Sequence, residues 1–269
     1  MTAIRPCRVG AIVLRQAYLL RGSVSRVVPL FAWVAIDIVL WGFITRYLNH
    51  LTGGFDLVPA LLGAVLLWDF FSRVMHGVTM AFLEDVWSRS VLNVFGSPLT
   101  IPEYLLGLVT SATVTSAIGL VVMLAIATGV FGLSFLPYGA ALAPFLLVLF
   151  LFGIAFGIVG SSVVLRLGPA AEWFVWPLPA LLSPFAAVFY PVSTLPGWMQ
   201  AISHVLPASY VFEGMRAVAA GQGVRWGTLA VSTALALGYV ALACLVFARV
   251  FRLVLRTGLL ARYSAESVS

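Results

Sequence analysis

The stretch FLEDVWSRSVLNVFGSPLTIPEY, residues 82–104, is the longest interior part of the chain that is not uniformly apolar. It lies between two long apolar runs and begins with two adjacent carboxylates, Glu84 and Asp85. We expect a short amphipathic helix over residues 84–96, with both carboxylates in its first turn, near the positive end of the helix dipole. The Gly-Ser-Pro sequence that follows marks its end. A capped helix in this position offers a docking surface for a second protein.

The composition of the whole chain is that of a membrane protein. Of the 269 residues, 62% are hydrophobic and 9% are charged, whereas soluble domains carry about 25% charged residues. The mean hydropathy is +1.10. The apolar runs are too long for the strands of a transmembrane barrel. The expected fold class is therefore an all-α polytopic membrane protein.

The charged residues exclude several classes of protein. Every basic residue other than histidine is arginine, and the net charge is +6, which in a membrane protein indicates orientation signals and contact with anionic lipid rather than nucleic acid. A phosphate-binding loop needs a lysine, so a chain without lysine is not itself a P-loop ATPase. We therefore expect that this chain binds no ATP or other cofactor. Cys7 and Cys244 lack metal-type spacing, and neither an HExxH nor a GxSxG motif occurs. We expect no metal site and no catalytic residue.

Six apolar runs are long enough to cross a hydrocarbon core of about 30 Å. The fifth run is interrupted by three prolines. The fourth carries Gly153, Gly157 and Ser161 at a spacing that lets another helix approach closely. We predict six transmembrane helices at residues 27–48, 57–80, 105–131, 140–165, 171–190 and 227–251.

Two further segments flank or interrupt these spans. Residues 1–26 carry five arginines and predict a cytoplasmic amphipathic helix lying on the lipid headgroups; a basic tail that only sets the topology is an equally good interpretation. Residues 191–226 are too apolar for a solvated loop and too broken for a span. We expect two short helices there, beginning near Pro196 and Pro207, in a re-entrant arrangement.

The distribution of arginines predicts the orientation of the chain. With the N-terminus inside, twelve arginines fall on the cytoplasmic side, and three, Arg46, Arg216 and Arg225, fall outside. Both termini, including a C-terminal tail over residues 253–269, and the helix at residues 84–96 are therefore expected to face the cytoplasm.

Ionisable residues inside the spans are candidate functional sites, because charge is costly in hydrocarbon. Asp37 lies in the first span, while Asp69 and Arg73 lie four residues apart in the second, with His76 one turn further. This intramembrane polar cluster has two interpretations. It is a charge network that joins the first two helices, or it lines or gates a transport path.

Two long motifs resemble one family of membrane proteins. Residues 83–107, LEDVWSRSVLNVFGSPLTIPEYLLG, resemble the cytoplasmic segment of type-2 ABC exporter permeases, with its acidic pair, short helix and Ser-Pro-Leu sequence. Residues 189–218, FYPVSTLPGWMQAISHVLPASYVFEGMRAV, resemble the segment after the fifth span in the same family. The resemblance covers nearly the whole chain.

The resemblance implies a function for each segment. The six-span transmembrane domain would occupy residues 27–252, and residues 84–96 would be the coupling helix, which docks on a separate cytoplasmic ATP-binding subunit. Glu213 and Arg216 would belong to an extracytoplasmic gate formed by the re-entrant helices. The docking residues would be Glu84, Asp85, Trp87, Arg89, Asn93 and Phe95.

The family also implies an assembly. The permease would form a homodimer, or pair with a paralogous permease, in the bacterial cytoplasmic membrane, with two ATPase subunits that hold ATP and Mg²⁺. The expected substrate is amphipathic or lipid-linked, such as a drug, a glycolipid or a polysaccharide. Two alternatives stay open. One is an ion-coupled secondary transporter using Asp37, Asp69 and Arg73, and the other is a membrane anchor for a cytoplasmic partner.

Overall fold

The computed structural model describes residues 4–21, 24–51, 58–88, 90, 94, 96–132 and 142–259, and every regular element in these ranges is helical. The expected all-α class is therefore confirmed. Single turns of 3₁₀ helix occur at Pro169–Ala171 and Val192–Thr194. The α-helices are α1 (Pro6–Arg21), α2 (Val24–Leu51), α3 (Val58–Trp87), α4 (Ile101–Phe131), α5 (Leu142–Leu167), α6 (Glu172–Val175), α7 (Leu178–Leu182), α8 (Gly197–Ser203), α9 (Pro207–Ala219) and α10 (Trp226–Arg256).

Four of these helices are long and apolar enough to cross a membrane: α3 from Leu61 onward, α4, α5 and α10. They correspond to the second, third, fourth and sixth predicted spans, so the chain is a multi-pass membrane protein. The predicted first span lies within α2, which has 28 residues. The complete six-span layout stays a prediction.

The predicted fifth span, residues 171–190, is not a continuous helix. It consists of α6, α7 and a series of turns up to Tyr190. Pro177, Pro179 and Pro184 divide it, because proline has no backbone N–H to continue the helical hydrogen-bond ladder and its ring crowds the preceding turn. The interruption expected from the sequence is confirmed.

The core of the bundle is the contact of α5 with α3 on one side and α10 on the other. The glycines of α5 allow the close approach to α3. A Cβ atom on Gly157 would lie 2.6 Å from the Cβ of Val78 and 2.8 Å from the carbonyl oxygen of Met75. The hydroxyl of Thr79 uses this closeness to donate to the Gly157 carbonyl at 3.1 Å. The small-residue contact predicted for the fourth span is thus confirmed.

The bundle has two distinct ends. At the α1 end, α1 packs against the last turns of α3 and the first turns of α4. At the α9 end, α9 packs against the starts of α10 and α5, where the hydroxyl of Ser232 donates to the Pro207 carbonyl at 2.8 Å and Gly214 contacts the ring of Phe145.

The two short helices expected within residues 191–226 are present as α8 and α9. The first follows Pro196 directly and the second begins at Pro207, as predicted. The ring of Phe212 on α9 lies 6.0 Å from that of Trp68 on α3, so α9 turns back into the bundle. Re-entry into a membrane stays a prediction.

Candidate functional site at the α1 end

The two carboxylates that open the stretch at residues 82–104 occupy the last turn of α3 rather than the first turn of a separate helix. The expected placement of Glu84 and Asp85 at the positive end of a helix dipole is therefore wrong, because the last turn is the negative end. Nothing in the sequence FLEDVW breaks a helix, so α3 continues as far as Trp87. Other groups must therefore stabilise the carboxylate of Asp85.

Asp85 is 0% exposed and receives hydrogen bonds from two other helices. The guanidinium of Arg15 on α1 donates to Oδ1, and the hydroxyl of Tyr104 on α4 donates to Oδ2 at 2.6 Å. The same guanidinium nitrogen of Arg15 donates to the hydroxyl of Ser90 at 2.9 Å. One buried carboxylate thus joins α1, α3 and α4 through charge-assisted hydrogen bonds, which are roughly twice as strong as neutral ones.

Glu103 makes a second junction between α1 and α4, and it too is 0% exposed. Its Oε1 accepts the backbone N–H of Arg5 at 2.9 Å, and its Oε2 accepts from the Arg8 guanidinium at 3.1 Å. The same Oε2 accepts from the N–H and the hydroxyl of Thr100, each at 2.9 Å. Glu103 therefore fixes the start of α4 and holds α1 against it.

Apolar contacts complete the α1 junction. Ile12 is buried against Gly107 of α4, where a Cβ atom would come within 2.7 Å of the isoleucine side chain. The buried amide of Gln16 donates to the Ala81 carbonyl of α3 at 3.1 Å. Residues Pro6–Arg21 form the helix α1, and these contacts show that it packs on the protein. Its position on lipid headgroups stays a prediction.

The predicted docking residues have different environments. Trp87 is 50% exposed, and Glu84 is partly exposed. Beside them, Ser88 and the residues from Gly96 to Pro98 are exposed. Asp85 is internal, so it supports the segment from within. The remaining predicted docking residues lie outside the described residues: Arg89, Asn93 and Phe95.

The intramembrane polar cluster lies between α2, α3 and α4. The carboxylate of Asp69 accepts from Nε of Arg73 at 2.9 Å, as the spacing predicts, and Asp37 lies on the neighbouring α2, partly buried. On the α4 side, a Cβ atom on Gly119 would lie 3.3 Å from Cδ of Arg73. The ring of His76 lies 4.5 Å from that of Trp176. The Asp69–Arg73 pair lies within α3, and both interpretations of the cluster stay predictions.

Glu213 and Arg216 lie three positions apart on one helix face and form an ion pair, with Oε1 and Nη2 3.0 Å apart. The same Oε1 accepts the N–H of Val192 at 2.7 Å, and Nη1 of Arg216 donates to the Val188 carbonyl at 3.3 Å. The pair therefore fixes the 3₁₀ turn and the preceding residues to α9. A gating role stays a prediction.

The fold and these junctions define a multi-pass helical membrane protein whose charged contacts lie mainly at the two ends of its bundle. The sequence model of the family described as ABC-2 type transporter matches residues 13–219. The chain therefore belongs to the ABC-2 type transporter family, as its motifs predicted, and it is a permease subunit rather than the ATPase. A search of the curated proteins found no match.

Proposed function

We propose that this permease is the membrane-spanning subunit of an ATP-driven exporter and that a separate ABC ATPase docks at the α1 end. Family membership supports the general assignment. The observation that carries the coupling role is the pair of buried carboxylates, Asp85 and Glu103, which hold α3, α4 and α1 together on either side of residues 88–100.

The two carboxylates lie at the two points where the segment joins its neighbouring helices. The segment at residues 88–100 follows α3 directly and leads directly into α4. The last turn of α3 and the first turn of α4 are both bonded to α1 or to the residue just before it. A force applied to the segment by a partner would therefore reach both helices together, because α1 holds them at the two points where the segment begins and ends. ATP and Mg²⁺ would be held by the partner, whose closure would supply that force.

The surface available to the ATPase is the exposed part of this segment. Trp87 offers a large half-exposed aromatic side chain, and aromatic residues are enriched among the residues that dominate binding at interfaces. We assign docking to Trp87 and Glu84, together with Arg89, Asn93 and Phe95, and assign Asp85 the task of holding their support in place.

The assembly we propose is a homodimer, or a pair with a paralogous permease, with two ATPase subunits. It would lie in the bacterial cytoplasmic membrane with both termini and the α1 end facing the cytoplasm. The exposed aromatic residues of the proline-broken segment, Trp173 and Phe174, support a surface for a second permease or an amphipathic molecule. We propose an amphipathic or lipid-linked substrate, such as a drug, a glycolipid or a polysaccharide precursor.

The docking assignment is tested by co-purification of affinity-tagged variants from native membranes. Trp87→Ala and Glu84→Arg are expected to reduce the amount of bound ATPase, with the permease yield unchanged. Trp226→Ala is the matched control, because Trp226 is a similarly exposed tryptophan, 63% accessible, at the α9 end. Equal ATPase recovery with all three variants would contradict the assignment.

A further inference from the structure

A cavity of about 280 Å³ lies at the α9 end, between α9, the start of α10 and the start of α5. Its wall includes Glu213 and Arg216 of α9 and Arg225, which immediately precedes α10. Small-ligand sites occupy about 300–1,000 Å³, so the cavity has the size of a headgroup or of a small part of a larger molecule. The cavity is separate from the junction of α1, α3 and α4 at the α1 end.

The charges around this cavity do not balance. Glu213 is engaged by Arg216 at 3.0 Å and by the Val192 N–H at 2.7 Å. Within the part of the chain that the structure describes, Arg225 makes no ion pair, and its side chain makes a single long hydrogen bond of 3.4 Å, to Gln222. The buried Nε of Arg216 has no hydrogen-bond partner among the described residues. One positive charge, that of Arg225, therefore remains at the cavity, whereas Nε of Arg216 is too deeply buried to face it.

Much of the rest of the wall is apolar. Phe145, Val224 and Leu229 contribute to it. On the neighbouring surface of α10, Val231 and Leu237 are more than half exposed, and in a membrane-spanning helix such side chains face lipid or another helix. A small inorganic anion would satisfy the guanidinium of Arg225 but leave the apolar wall uncovered. A ligand that combines one negative charge with an apolar body matches both the excess positive charge and the apolar wall of the cavity.

We infer that this cavity binds the phosphodiester headgroup of an anionic lipid, with the guanidinium of Arg225 as the cation that pairs with the phosphate. A guanidinium group matches phosphate oxygens in a bidentate geometry and stays charged at all physiological pH values. The single negative charge of a phosphodiester equals the excess positive charge of the wall. The inference does not depend on the proposed ATPase docking, because the two sites lie at opposite ends of the bundle.

Native mass spectrometry of the purified permease in an uncharged detergent tests this inference, with phosphatidylglycerol as the probe. The protein should retain one phosphatidylglycerol more tightly than phosphatidylcholine. Arg225→Gln should weaken retention roughly tenfold, the loss expected for a charge-assisted contact with phosphate. The matched control is Arg46→Gln, which removes an exposed arginine beside the Phe43–Phe131 contact, where α4 ends.

A second variant tests the site without changing any charge, and its result does not depend on whether the Arg225→Gln protein folds correctly. Ala217→Leu adds volume to the cavity wall and leaves both arginines in place, so it should also weaken phosphatidylglycerol binding. An equal loss with Arg46→Gln would show a general charge effect and overturn the site. Absence of tight binding to the wild-type protein would also overturn it. Glycerol phosphate that competes as well as the intact lipid would overturn the assignment to a lipid.

Discussion

Replacing Asp85 by alanine should destabilise the junction of α1, α3 and α4 more than any exposed change at the same end. The carboxylate is fully buried, and Tyr104 donates its hydroxyl to it at 2.6 Å inside the bundle. Removing Asp85 takes this acceptor away from the buried hydroxyl, which costs about 1–3 kcal/mol. The guanidinium of Arg15 keeps 31% side-chain exposure, so water replaces part of its lost contact, and we add only about 1 kcal/mol for it.

The expected total for Asp85→Ala is therefore about 2–4 kcal/mol. Tyr104→Phe should cost less, about 1 kcal/mol, because Asp85 keeps its contact with Arg15. The measurement is thermal unfolding of the purified permease in one detergent, followed by the loss of monodisperse protein on size exclusion. Arg21→Ala is the control, since Arg21 is an exposed arginine at the end of α1.

A double-mutant cycle of Arg15→Gln and Asp85→Asn separates the interaction between the two side chains from the general destabilisation by each mutation. The stability effects of mutations at residues in contact are not additive. The two changes should show a coupling energy above about 0.5 kcal/mol. Additive effects, or an Asp85→Ala protein as stable as Arg21→Ala, would refute the view that this carboxylate holds the three helices together.

Three further predictions concern other parts of the bundle. Gly157→Ala should destabilise the α3–α5 contact by about 1–3 kcal/mol through overpacking. Gly238→Ala, which meets no atom within 4 Å inside helix α10, should leave thermal stability unchanged or raise it slightly, because alanine is the better helix former; equal effects would argue against the close contact. Arg73→Ala should cost roughly 2 kcal/mol, less than for a fully buried pair, because the partly buried Asp69 loses its charged partner, and unchanged unfolding relative to Arg166→Ala would contradict this. Thr194→Cys, in a background without the native cysteines, should react with an impermeant thiol reagent from outside intact cells, and labelling only after lysis would reverse the proposed orientation.

Helix type and the small-residue contact could be predicted from the sequence because both depend on local pattern. Apolar runs of sufficient length mark α3, α4, α5 and α10, and the prolines mark the broken segment before α8. The ion pairs Asp69–Arg73 and Glu213–Arg216 were also predictable, because residues three or four positions apart share a helix face.

The junction at the α1 end could not be predicted, because its partners are far apart in sequence. Arg15 and Asp85 are separated by 70 residues, and no local periodicity indicates that they meet. A local signal existed only for Glu103, which follows Thr100 by three residues in the pattern of a capping box. Because the sequence alone does not reveal the buried partners of Asp85, the two adjacent carboxylates indicated the start of a helix. They lie at the end of one.

The coupling proposed for the α1 end is tested most directly by affinity purification of the wild-type permease from its native membranes, followed by identification of every co-purifying protein. We expect a P-loop ATPase to accompany the permease at about one copy per permease chain. If several mild detergents preserve the folded permease and no ATPase accompanies it, the coupling proposed for the α1 end is contradicted.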